Sequence, residues 1–114
     1  MNIRRGDVFL AALDPVLGKE ISKTRPVVVV SNDKNNAFSG TLTILPISSQ
    51  SLDKTYPFEV VLPTGTANLP KDSKVKADQI RTIDKSRIIK HIGSLKPSEI
   101  VSIENAIRLH LGIK

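Results

Sequence analysis

Lys23-Thr24-Arg25-Pro26-Val27-Val28-Val29-Val30-Ser31-Asn32 is the stretch that decides the fold of this 114-residue chain. Four consecutive β-branched residues, Val27 to Val30, favour a pleated strand. No polar residue alternates with them, so the strand is expected to be covered on both faces. Pro26 fixes its own φ and steers Arg25 away from helical geometry. Arg25 is therefore held at the mouth of a rigid element. A guanidinium held there offers a planar fork of donors and a permanent charge, which suits a phosphate. A surface arginine that merely precedes a strand fits the same spacing, so the pattern alone leaves both readings open.

Working outward, residues 6–13 form a short apolar run ended by Asp14-Pro15, and residues 15–24, with Gly18 and alternating charges, read as a loop. Residues 32–40 (NDKNNAFSG) are rich in turn formers and predict one helical turn. Thr41 to Ser48 (TLTILPIS) alternates as a strand, and Pro46 inside it predicts an edge position or a bulge. A polar loop follows over 49–57, then a strand over 58–62 and a turn-rich connection over 63–72. Short strands are expected at 73–77 and 88–92, with Asp84 capping a single helical turn over 84–87. The period then changes. Ile100, Ile103, Ile107 and Leu111 make one apolar stripe at helical spacing. Pro97 suits the first helical position, Glu99 the positive end of the dipole and Gly112 the stop. Many short strands and one long amphipathic helix imply a mainly β domain, a small barrel or curled sheet with a C-terminal helix packed on it. The length fits a single domain over 1–114.

Seventeen Lys and Arg against eleven Asp and Glu give a net charge of +6, which points toward nucleic acid or an acidic protein partner. A solvated basic surface with no specific partner is the plainer alternative. Three Phe and one Tyr are too few for the stacking platforms that grip single strands without sequence preference. Phosphate contacts and hydrogen bonds would have to dominate. With no cysteine there is no disulfide framework and no thiolate metal site. The apolar run after Asp7 is too short for a signal peptide and no run is long enough to span a bilayer, so the expected location is the cytoplasm and no membrane partner is expected.

His91 and His110 match no metal-ligand spacing. No phosphate-binding glycine loop and no nucleophile elbow is present. No cofactor and no metal site is therefore expected. What remains is Arg25, Ser48, Ser49, Glu20 and the segment ADQIRTID over 77–84. Ser48 ends a strand as Arg25 begins one. If those strands are antiparallel neighbours, both lie at the same end of the sheet and can bind one phosphate together. Gln79 carries an amide able to read a base edge, or equally to satisfy a strand end.

RRGDVFLAALDPVLGKE (4–20), TRPVVVVSND (24–33), LTILPISSQ (42–50), YPFEVVLP (56–63) and ADQIRTIDKSRI (77–88), in this order and spacing, resemble the MazF/PemK (Kid-type) toxins, the ribonuclease half of bacterial toxin–antitoxin pairs. The resemblance implies an SH3-like barrel shared with the gyrase-poisoning CcdB toxins, a homodimer, and metal-independent, sequence-specific cleavage of single-stranded RNA. It also implies neutralisation by an acidic antitoxin. The family's catalytic arginine falls on Arg25, and its usual threonine is Ser48 here. Its loop glutamate falls on Glu20, which either acts as a base or orients Arg25. Gln79 matches a glutamine near the RNA groove. The flanking loops, with Ser49, Gln50, Lys19 and Lys23, correspond to groove-forming, RNA-binding segments. The resemblance implies attack by the ribose 2′-hydroxyl, leaving a 2′,3′-cyclic phosphate and a 5′-hydroxyl. A CcdB-like gyrase-binding toxin and a non-catalytic RNA-binding module are the alternative functions.

Overall fold

The computed structural model describes residues 2–114. Seven strands, β1 (Asp7–Ala12), β2 (Thr24–Val29), β3 (Thr41–Ser48), β4 (Glu59–Leu62), β5 (Ser73–Lys76), β6 (Arg81–Asp84) and β7 (Ile88–Ser94), are joined by short turns and two α-helices. These are α1 (Asp33–Phe38) and α2 (Pro97–Leu111). The strands form one sheet in the order β4-β5-β3-β2-β1-β7, with β6 also pairing β3. Every pairing is antiparallel. The sheet curls, but β4 and β7 do not pair, so the expected barrel is open rather than a closed ring.

The valine strand is covered on both sides, as its sequence requires. Val28 packs with Val8, Leu45, Ile47, Leu62 and Ile103 in one cluster. Val27 and Val29 pack with Phe9, Leu42, Ile44 and Ile83 in another. Helix α2 closes the first cluster with Ile103 and Ala106, with Ile100 and Ile107 beside them. Leu111, expected to complete that stripe, is exposed instead. Gly112 terminates the helix at φ 70, its N–H bonded back to the Arg108 and Leu109 carbonyls. At the other end the Lys96 N–H donates to Glu99 Oε1 at 2.7 Å, as a capping glutamate should. Gly6, at φ 91, lets the chain turn against α2. A Cβ there would lie 2.6 Å from Ile100 Cδ1.

Pro46 is not on an edge. β3 lies inside the sheet, paired with β2 on one side and with β6 and then β5 on the other. Val30 N donates to Thr43 O, so odd-numbered residues of β3 point their backbone groups at β2 and even-numbered ones point the other way. Pro46 therefore turns its missing donor toward the gap where the partner changes, between the Ile44–Arg81 and Ile47–Val75 pairs. The proline is tolerated because no ladder bond is required there.

Candidate active site

β2 and β3 run antiparallel, with Val27 opposite Pro46. Two residues further along, Arg25 and Ser48 stand at matching positions at the same end of the sheet. Directly opposed side chains share a face, so both belong to the face of the Val27 and Val29 cluster. On its other side Arg25 pairs with Ala11 of β1, so the strand entry is held from both flanks.

The Arg25 side chain is half-buried, and its Nε donates to the Ser22 carbonyl at 2.7 Å. Among the described residues it makes no other hydrogen bond and no ion pair, which leaves both terminal amines for a ligand. Ser48 is 6% exposed. Its Oγ accepts from the Gln50 N–H at 3.1 Å, which orients the hydroxyl and leaves its O–H to donate. Each of the two thus keeps a donor free at the same end of the sheet, a guanidinium fork and a hydroxyl.

The other predicted residues divide. Glu20 is exposed on the β1–β2 loop and accepts from the Leu17 N–H at 2.7 Å through Oε1. It makes no ion pair with Arg25; the Ser22 carbonyl orients the guanidinium instead. Gln79 is half-buried, and its Oε1 accepts from Ile21 N at 3.3 Å. It therefore ties the β1–β2 loop down while its NH₂ stays free, so the two readings of this amide are compatible. Lys19 and Lys23 are exposed on the same loop. Lys23 sits at φ 71; its N–H donates to Asp14 Oδ1 at 3.1 Å and its carbonyl accepts from Leu13 N at 3.0 Å. Ser49 and Gln50 line a hollow of about 690 Å³ that Arg25 also lines. Its floor, with Leu10, Pro26 and Ile47, lies on the opposite face of the sheet. Arg25 is the predicted catalytic residue that joins the two groups.

Sequence reading missed Lys71 and Lys90 and set His91 aside, and all three line the same hollow as Arg25. Only the topology brings β7 and the 63–72 connection to this end of the sheet. Arg81 and Arg87 were missed as clamps. Arg81 Nη1 donates to Leu13 O at 3.2 Å, and Arg87 Nη1 to Ala12 O and Asp14 O at 3.1 and 2.6 Å, fixing the root of the β1–β2 loop. Buried Glu59 and Lys74, with half-buried Lys76 beside them, form a cluster beneath the 49–57 loop. Burial raises the Glu59 pKa, but hydrogen bonds from Tyr56 N–H, Lys76 and Lys74 outweigh it and hold the carboxyl below its ordinary 4.5. Among the described residues no group of three or more His, Asp or Glu side chains is placed to hold a metal ion.

The open, curled sheet with its C-terminal helix is the fold of a class of small toxin. The family described as the PemK-like, MazF-like toxin of type II toxin–antitoxin systems matches residues 4–111. The chain is 39% identical to endoribonuclease MazF9 of Mycobacterium tuberculosis, over 97% of this chain and 98% of that protein. It is 38% identical to endoribonuclease MazF of Staphylococcus epidermidis, over 97% and 92%. Among solved structures, MazF of Deinococcus radiodurans superposes with a TM-score of 0.85 at 26% identity, over 98% of both chains. A MazE–MazF crystal structure from the same organism gives 0.79 at 25% identity, over 100% and 99%. The chain belongs to the PemK-like, MazF-like toxin family of type II toxin–antitoxin systems.

Proposed function

We propose that the chain is a sequence-specific endoribonuclease that cuts single-stranded RNA without a metal ion, and that an acidic antitoxin neutralises it. The observation that carries this reading is the half-buried Arg25, oriented through Nε with its terminal amines unpaired, opposite a Ser48 hydroxyl free to donate. Attack of a ribose 2′-oxygen on the adjacent phosphorus forms the new P–O bond and builds negative charge on the non-bridging oxygens. Arg25 and Ser48 are donors placed where that charge develops, in a site partly shielded from water. The Glu20 carboxylate accepts the 2′-hydroxyl proton. The P–O5′ bond then breaks, and the 5′-oxygen takes up a proton from water. The products are a 2′,3′-cyclic phosphate and a 5′-hydroxyl end. Gln79, Ser49, Gln50, Lys19 and Lys23 hold the RNA, the amides reading bases and the lysines neutralising phosphates.

The protein is proposed to act as a single toxin domain in the cytoplasm, and as a homodimer whose second copy covers part of the apolar floor beside Arg25. Among the described residues no helix is long and apolar enough to cross a membrane. The test is incubation of the purified protein with a long unstructured RNA in excess chelator, with analysis of the new ends. Fragments ending in cyclic phosphate and 5′-hydroxyl support the proposal. Cleavage that chelation abolishes and magnesium restores contradicts the mechanism. Binding without cleavage favours a non-catalytic RNA-binding module, and gyrase inhibition without cleavage favours a gyrase-binding toxin.

A further inference from the structure

Lys74 is a charged residue in the interior of a strand, with its side chain 3% exposed, a place where lysine is rarely found unless paired. Its Cα partner across the β3–β5 ladder is Ser48, so the two side chains are neighbours on one face. The ammonium donates to Ser51 O at 2.9 Å, to Lys54 O at 2.9 Å and to Glu59 Oε1 at 3.1 Å. An ammonium has three donors, so all are used, and none is left for a phosphate. The fully buried Glu59 also accepts from Tyr56 N at 2.9 Å through Oε1 and from Lys76 at 2.9 Å through Oε2. One buried cluster therefore grips the 49–57 loop at positions 51, 54 and 56. At the root of the same loop, Gln50 N–H binds the Ser48 hydroxyl oxygen. Ser51 is held at φ 53, a conformation that persists only when its surroundings enforce it. Well-packed apolar side chains often serve stability as well as a buried ion pair does. Here the charge supplies something they cannot, namely donors for two loop carbonyls.

We propose that Lys74 is a positioning residue for RNA cleavage: its buried ammonium fixes the 49–57 loop and, through Gln50, the Ser48 hydroxyl. The inference rests on the nuclease reading above and adds to it a residue that never touches the substrate.

The test compares two variants of the full chain. In Lys74→Met combined with Glu59→Gln the strut is lost and no lone charge stays buried. In Lys76→Met alone the strut remains, because Lys74 and the Tyr56 N–H still bind Glu59 Oε1. Amide hydrogen exchange at Gln50, Lys54 and Tyr56 reports the loop directly. Single-site kinetics on a long unstructured RNA report positioning. In the double variant these three amides should exchange at least about tenfold faster, as expected for local opening of a loop. Its kcat should fall roughly tenfold to a hundredfold, the scale of about an ångström of misplacement, while KM moves less than about threefold. Lys76→Met alone should keep loop protection and most of kcat. If the double variant does not fold, Lys74→Gln in the Glu59→Gln background keeps two donors, and an intermediate loss of both protection and kcat is expected. Unchanged exchange in the variant lacking Lys74, or faster exchange with unchanged kcat, overturns the inference and leaves the nuclease reading intact. A wild-type protein that cuts no RNA overturns the nuclease reading and Lys74's role in cleavage with it. The exchange data then judge only the strut.

Discussion

At the scale of single residues, two polar side chains are each held by one hydrogen bond and keep donors to spare. The Ser22 carbonyl takes Arg25 Nε, and Gln50 N–H occupies a lone pair of Ser48. Orientation is settled before a substrate arrives, which is the condition under which a donor lowers a transition state. Ser48→Ala should slow cleavage on the order of a hundredfold, the usual effect of removing one such donor. Ser48→Thr keeps the hydroxyl and narrows its rotamers, so it should cut at least as well as wild type. Equal rates for Ser48→Ala and wild type in single-turnover assays would move the role to Ser49 or to backbone donors. The places of Arg25 and Ser48 at neighbouring strand ends were legible in the sequence, because proline and turn signals mark those ends. Lys71, Lys90 and His91 were not, because their approach to Arg25 depends on which strands become neighbours. Nor was Lys74: a lysine alternating with Val75 in SKVK reads as a solvent-facing position, and only Glu59 on the adjacent strand turns it inward.

At the scale of elements, periodicity carried most of the information. The strand over Thr41–Ser48, the turn capped by Asp84 and helix α2 are where their patterns put them, and the valine strand is too, except that it ends at Val29 and leaves Val30 half-buried beyond it. Asp84 Oδ2 does accept from Ser86 N–H, at 2.8 Å. β6 gave no signal, since four residues with only Ile83 buried are too few to show a period. Pro46 misled because proline reports a missing donor and not which side of the strand lacks a partner. Helix α2 packs through Ile103, which is 2% exposed. Ile103→Ala should cost about 2–5 kcal/mol, read by denaturant unfolding, while the folded fraction keeps its cleavage rate. An unfolding midpoint unchanged by this substitution would mean the helix is not seated on the sheet as described. The β4–β5 pair makes a pH prediction. Glu59 has a lowered pKa in the fold. Its contribution to stability is therefore full above the ordinary glutamate value and fades as pH falls through the lower folded value. Thermal melts should show wild type losing stability below about pH 4.5 more steeply than Glu59→Gln. Parallel slopes would show that Glu59 is not charged and paired in the folded state. Asp33, Asp72 and Asp84 are also lowered by hydrogen bonds from the chain, so the slope should flatten without vanishing.

At the scale of the whole molecule, an open, curled sheet brings one end of β2 and β3, the β1–β2 loop and the 49–57 loop into one basic region. The net charge of +6 predicts RNA binding that weakens steeply with salt, through release of condensed cations. It also predicts fast, salt-sensitive association with an acidic antitoxin tail. Binding to an uncleavable RNA at increasing salt should give a linear log–log loss. A flat dependence would argue against phosphate contacts. Sedimentation should find a dimer at micromolar concentration, and a monomer there would count against the second copy proposed beside Arg25. The claim joining all three scales is that a fixed arginine fork, without a metal, stabilises the cleavage transition state. The single-turnover cleavage rate of Arg25→Lys beside wild type, both in excess chelator, tests it most directly. Lysine keeps the charge and loses the fork. The rate should fall at least about a hundredfold, while affinity for a 2′-deoxy substrate changes far less. A folded Arg25→Lys protein that cuts at nearly the wild-type rate would contradict the account.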